Sequence, residues 1–247
     1  MVSALPIVWL LFAAAAAGTL PQPTGDASKA APTSCASGVQ IFVARGSTER
    51  SSLGRIAPVA QSIANSIPGS SITALDYPAK MNPIVYLFSV SKGTKNLSKL
   101  VKNYVEMCPQ SKIVLIGYSQ GAHVVGDLVC GASSLPIVRS KPINSNYNKN
   151  IIATLLFGDP TRAANQSFDV GTVTNRNGFL RRHRNGACSA YTKTIKSWCD
   201  KNDRWCDKHS PEGTDSSVHK TYQEKYKAEA TQFVLDQWKS SQETLAT

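Results

Sequence analysis

Residues 39–44 are a run of β-branched and aromatic side chains that ends at Arg45-Gly46, the pattern of a buried strand leaving into a turn. Across residues 55–67 the apolar positions Ile56, Val59, Ala60, Ile63, Ala64 and Ile67 recur at helical spacing, which predicts a helix with one buried face. Short apolar runs at 72–75, 112–116 and 151–157 predict further strands, the last stopping at Gly158-Asp159-Pro160. The run at 112–116 lacks the alternation of a half-exposed strand, so it suits one covered on both faces. Residues 99–107 predict the end of a helix and residues 122–129 a helix of small side chains. From 222 to 238, Tyr222, Tyr226, Ala230, Phe233, Val234 and Trp238 share one side, which predicts a terminal amphipathic helix. Strands alternating with helices imply an α/β chain, a three-layer α/β/α sandwich around a mostly parallel sheet, because parallel neighbours need crossover connections.

At 247 residues without an internal Gly/Ser-rich linker, one domain is expected, over residues 35–240. The apolar run 8–12 followed by alanines 13–17 is too short to cross a bilayer and ends in small residues, so residues 1–17 are expected to be a cleaved secretion signal and the protein extracellular. A disordered leader is expected over 18–34, where turn-formers mix with polar residues, and a short tail over 241–247. Behind such a signal the six cysteines predict disulfides. The rival, a zinc site from Cys199, Cys206, His209 and His219, is disfavoured because structural zinc takes its cysteines in tighter pairs. No metal or other cofactor is expected. The formal charge of +11 favours anionic surfaces such as acidic cell-wall polysaccharide. The densest cluster, Arg181-Arg182-His183-Arg184, has no interleaved aromatics and reads as a solvated basic face, so no nucleic-acid partner is expected. Asn96 and Asn165 head glycosylation sequons.

The candidate chemistry centres on Gly117-Tyr118-Ser119-Gln120-Gly121, directly after one predicted strand and directly before a predicted helix. That is the setting of a nucleophile elbow, where glycines relieve crowding at a sharp turn and let the serine hydroxyl stand exposed. A serine hydroxyl is a weak nucleophile until an imidazole takes its proton, and the imidazole needs a carboxylate to fix its tautomer. His123 lies one turn into the helix after Ser119 and is expected to point down it. His183 sits in the basic cluster, which leaves His209 and His219 as candidate bases. Asp159 competes for the acid role, although the neighbouring Pro160 equally suits a plain turn.

The segment Cys199-Asp200-Lys201-Asn202-Asp203-Arg204-Trp205-Cys206 followed by Val218-His219-Lys220-Thr221-Tyr222 resembles the catalytic end of the cutinase family, which includes fungal acetylxylan esterases. The resemblance runs from about Cys35 to Val234. It implies Asp203 as the acid, in a loop closed by a Cys199–Cys206 bridge, and His219 as the base, with His209 left as a surface residue. Ala44-Arg45-Gly46-Ser47-Thr48-Glu49 resembles the family's oxyanion segment, which implies that Ser47 and the amide of Gln120 face the developing negative oxygen. It also implies a Cys35–Cys108 bridge, which leaves Cys130 and Cys188 for each other.

The implied activity is hydrolysis of carboxylic esters of plant cell-wall polymers, cutin or acetylated xylan, by a monomer. The polar run at 212–218 before His219 suggests poor walls for long aliphatic chains, and the stretch from Phe157 through Gly178-Phe179 to Cys188 resembles the acetylxylan esterases. Against that, residues 84–88 could form an apolar rim across the cleft. The alternative is a non-catalytic, basic wall-binding protein on the same fold.

Overall fold

The computed structural model describes residues 30–50, 52–131 and 141–243. The expected secretion signal, most of the leader and the end of the tail lie outside them. Six strands form one sheet, β1 (Val39–Ala44), β2 (Ser71–Ala74), β3 (Lys112–Tyr118), β4 (Ile151–Phe157), β5 (Asp169–Val170) and β6 (Ile195–Trp198), in the order β2-β1-β3-β4-β6-β5. Every pairing is parallel.

The sheet has two buried faces, and strand alternation decides which residue serves which. From β1, Val39, Ile41 and Val43 pack on one side and Phe42 and Ala44 on the other. From β3, Val114 and Ile116 join the first group, Ile113 and Leu115 the second. Helices α1 (Ala57–Ser66) and α5 (Lys227–Glu243) cover the first face, bringing Val59, Ile63, Ala230 and Val234. Helices α2 (Pro83–Met107) and α3 (Gln120–Cys130) cover the second with Leu97, Val101, Val124 and Leu128. The result is the expected three-layer sandwich, and no described helix is long and apolar enough to cross a membrane.

Several details differ from expectation. The terminal helix is two pieces, α4 (Tyr222–Lys225) and α5, broken at Tyr226. Helix α2 starts far upstream of residue 99, capped by Asn82, whose side chain accepts from the Ile84 amide at 3.0 Å, with Pro83 in the first turn. The basic cluster is not wholly solvated. Arg182 is buried and its guanidinium donates to Asp127 (2.6 Å), to the Gly131 carbonyl (2.5 Å) and to Thr161 (2.9 Å), so its charge is used inside the fold. All six cysteines are bridged, as Cys35–Cys108, Cys130–Cys188 and Cys199–Cys206.

Candidate active site

Strand β3 ends at Tyr118, helix α3 begins at Gln120, and Ser119 makes the turn between them with φ 56° and ψ −119°. A non-glycine residue held at positive φ costs about 1–3 kcal/mol, so the elbow persists only because its surroundings fix it. Tight packing supplies that fixation. The Ser119 amide donates to Phe157 O at 2.9 Å, and its carbonyl accepts from the His123 amide at 3.2 Å. A β-carbon on Gly117 would stand 2.5 Å from Gly121 O, and one on Gly121 would collide with the Ala44 carbonyl. The Gln120 side chain is buried and held at both ends, accepting from Ser89 Oγ at 3.1 Å and donating to Lys80 O at 2.8 Å.

Beyond β6, the loop closed by Cys199–Cys206 presents Asp203, which is fully buried. Its Oδ1 accepts from the amides of Trp205 (2.8 Å) and Cys206 (3.4 Å). Its Oδ2 faces His219 Nδ1 at 2.7 Å and accepts from the Tyr222 hydroxyl at 2.6 Å. A carboxylate has no proton to give, so Nδ1 carries the hydrogen, and in the neutral imidazole the lone pair is then on Nε2. That Nε2 is buried and has no hydrogen-bond partner among the described residues.

His219 is positioned from several directions. The Tyr118 hydroxyl donates to the His219 carbonyl at 2.8 Å, tying the imidazole-bearing loop to the strand that carries the elbow. Gly158, at the end of β4, has φ +58°, and a β-carbon there would lie 2.6 Å from His219 Cε1. Tyr222 accepts from the Asp200 amide at 2.9 Å, so its own proton is free for Asp203. Burial, reinforced by the Asp203 charge, pushes the Tyr222 hydroxyl well above the ordinary tyrosine range and keeps it a donor.

A cleft of about 350 Å³ holds Ser119 and Ser47 together, walled by Met81, Tyr86, Leu87, Phe179 and Trp205. The Trp205 ring lies 6.3 Å from the His219 ring, which links the imidazole to this cleft. Ser47 Oγ is buried without a partner among the described residues. The polar run at 212–218 is not among the lining residues, so the expected polar wall is replaced by an apolar one. Of the expected rim at 84–88, Tyr86 and Leu87 line the cleft, while Ile84 and Phe88 on the same helix are 90% and 68% exposed.

The competing candidates are placed elsewhere. Asp159 Oδ1 accepts from the Thr161 amide (2.8 Å) and hydroxyl (2.7 Å), the bonding of a turn. His123 is buried, with Nε2 3.4 Å from Asp127 and Nδ1 3.3 Å from the Tyr86 hydroxyl. Burial pushes the Asp127 carboxyl up, but His123 and Arg182 outweigh it and hold the group below its ordinary value. His183 and His209 are exposed, and the His209 carbonyl accepts from Arg176 at 2.9 Å. Three contributors escaped the sequence reading: Tyr222, Trp205 and Gly158. Tyr222 occupies the apolar stripe of the last helix, where phenylalanine would pack equally well. Its position, three residues past His219 and at the start of a helix, was the available hint.

An all-parallel sheet with a strained serine at a strand-to-helix elbow, and an imidazole–carboxylate pair on loops beyond the later strands, defines an α/β hydrolase. Known proteins narrow the class. The Cutinase family model matches residues 35–238. The chain is 30% identical over 210 residues to an acetylxylan esterase of Hypocrea jecorina, covering 82% of this chain and 68% of that protein. It is 31% identical over 209 residues to Cutinase 11 of Verticillium dahliae, covering 81% and 68%. The solved catalytic core domain of the acetyl xylan esterase from Trichoderma reesei superposes with a TM-score of 0.74 at 29% identity, covering 83% of this chain and all of that one. The protein belongs to the cutinase family of carboxylic ester hydrolases.

Proposed function

We propose that this protein is a secreted serine esterase in which Ser119, His219 and Asp203 form the catalytic triad, Ser47 and Gln120 the oxyanion hole. The observation that carries the reading is the 2.7 Å contact of His219 Nδ1 with Asp203, which leaves Nε2 without a partner among the described residues, on a ring that neighbours Trp205 of the cleft containing Ser119. Nε2 takes the Ser119 proton as Oγ attacks the ester carbonyl, and Asp203 stabilises the imidazolium that results. The amide of Gln120 and the amide and hydroxyl of Ser47 donate to the carbonyl oxygen as it becomes negative, each such donor being worth roughly 10²–10³ in rate. Collapse expels the alcohol, which receives the proton from Nε2. Water, deprotonated by the same nitrogen, then frees the acid.

The substrates are carboxylic esters of plant cell-wall polymers, cutin or acetylated xylan. The protein acts outside the cell, and one chain supplies every group in the scheme, so a monomer suffices for it. The apolar cleft walls and the exposed Ile84 and Phe88 favour accommodation of longer acyl chains as well as acetate. Turnover of p-nitrophenyl acetate tests the mechanism, with Ser119→Ala expected to lose on the order of 10⁴-fold or more in kcat. Equal rates for wild type and Ser119→Ala would turn the reading into that of a non-catalytic wall-binding protein. Parallel assays on p-nitrophenyl butyrate and palmitate, cutin and acetylated xylan rank the substrates.

A further inference from the structure

The two walls of the cleft differ in charge. Met81, Pro83, Tyr86 and Leu87, from α2 and the segment before it, bring none. The facing wall has Phe179 and Trp205 edge to face, ring centres 6.0 Å apart, and the Phe179 amide donates to Trp205 O at 2.8 Å, which staples the two segments. Each ring is accompanied by a cation: the Arg204 guanidinium lies 5.6 Å from the Trp205 ring centre, and Lys208 Nζ 5.0 Å from that of Phe179. Neither cation has a carboxylate partner among the described residues. Among the described residues that line the cleft, Arg204 is the charged one.

An aromatic face holds a cation in place without neutralising it, so both charges keep their full demand for an anion. The chemistry fixes which part of the ester meets them. In acyl transfer the base returns its proton to the leaving alcohol, whose oxygen must therefore come within hydrogen-bond reach of His219 Nε2. Trp205 is the cleft-lining ring that also contacts the His219 ring. The Phe179–Trp205 shelf with its two cations thus stands on the alcohol side, and the uncharged α2 wall is left to the acyl group.

We infer that the cleft selects esters whose alcohol itself bears a carboxylate, with Arg204 and Lys208 as specificity residues that pair with it. The inference rests on the proposed Ser119–His219 mechanism for its assignment of sides. Carbohydrates containing uronic acid and aliphatic hydroxy acids both present this chemistry, and the experiment separates them.

Two pairs of acetyl esters are compared: an O-acetylated methyl glucuronoside with its neutral primary amide, and an acetoxyalkanoic acid with its amide. For wild type at low salt, kcat/KM is expected to favour the acid over the amide by about fivefold in at least one pair, the ceiling for an exposed ion pair. The pair that shows the preference identifies the source. The ratio should fall towards one in high salt, where exposed charges are screened, and in Arg204→Gln/Lys208→Gln. Each ratio is taken within one protein, so a general loss of rate cancels. Lys208→Gln alone, which leaves the cleft lining intact, should lower it part way. A wild-type ratio of one in both pairs, or a ratio unchanged in the double variant, overturns the inference while leaving the esterase reading standing. If wild type hydrolyses neither these esters nor p-nitrophenyl acetate, it is the triad reading that fails. Calorimetric binding of each acid and amide to Ser119→Ala then decides the charge preference on its own, equal affinities within both pairs overturning it.

Discussion

Replacing Tyr222 with phenylalanine removes one oxygen from the centre of the site and little else, because the ring is fully buried and its packing is kept. The oxygen donates to Asp203 Oδ2 at 2.6 Å and accepts from the Asp200 amide at 2.9 Å, with the bridged Cys206 Sγ also 3.3 Å away. Loss of a hydrogen bond to a charged group costs about 1.5–3 kcal/mol, and a buried amide left unsatisfied about 1–3 kcal/mol. Both terms pass through the same atom and do not simply add, so a total of about 3 kcal/mol is expected. For a domain of this size that lowers Tm by roughly 6–12 °C. Asp203 would keep its bonds from Trp205, Cys206 and His219, so catalysis should weaken rather than vanish. A fall of roughly tenfold in kcat with KM unchanged is expected, as for residues that orient a catalytic group from behind. Thermal melts and steady-state kinetics on p-nitrophenyl acetate measure both. Stability within about 0.5 kcal/mol of wild type together with an unaltered kcat would refute the role assigned to the hydroxyl.

Gly158→Ala must place a methyl group 2.6 Å from His219 Cε1 at a backbone φ of +58°, so the imidazole is forced aside. A displacement of about 1 Å should cost around 100-fold in kcat, with a native circular-dichroism spectrum, and wild-type activity would contradict the packing described. Asp169 is pushed up to about 6 from 3.8 by burial, with Arg162 pulling the other way. Folding therefore raises this pKa, the folded protein holds a proton that the unfolded chain has released, and stability falls as pH climbs from about 4 to about 6, by up to about 3 kcal/mol. Melts across that window should show this loss in wild type and its absence in Asp169→Asn, and identical slopes in the two proteins would dismiss the assignment.

How much of this was legible in the sequence depended on whether a segment's burial was uniform enough to leave a pattern. Strands β1, β3 and β4 are apolar nearly throughout because both faces are covered, and their runs stood out. Strand β6 was missed because Lys196 and Ser197 interrupt it, the lysine reaching out to lie over the Phe233 ring. Strand β5, two residues long, is too short to have a period. The first turns of α2 hid behind consecutive apolar residues at 84–88, of which Ile84 and Phe88 face outward instead of forming a buried stripe, although Asn82-Pro83 was a usable start. The elbow at Ser119 was readable from its glycines and context. The partnership of Asp203 with His219 was not, since a contact between loops across 16 residues leaves no periodicity, and only the family resemblance pointed to it. Arg182 was misjudged for a similar reason: nothing local reveals that Asp127, 55 residues earlier, waits for it in the interior.

The strand order β2-β1-β3-β4-β6-β5 also dictates an assembly schedule. The first strand of the described residues, β1, lies one place in from the β2 edge, and its inner neighbour comes about 70 positions later, as Val39 aligns with Lys112. Until that later stretch leaves the ribosome, one edge of the nascent β1 is unpaired and must be kept from strangers. The same docking step brings Cys35 to Cys108, 73 residues apart, so that oxidation of this pair would covalently lock the β1–β3 closure once it has formed.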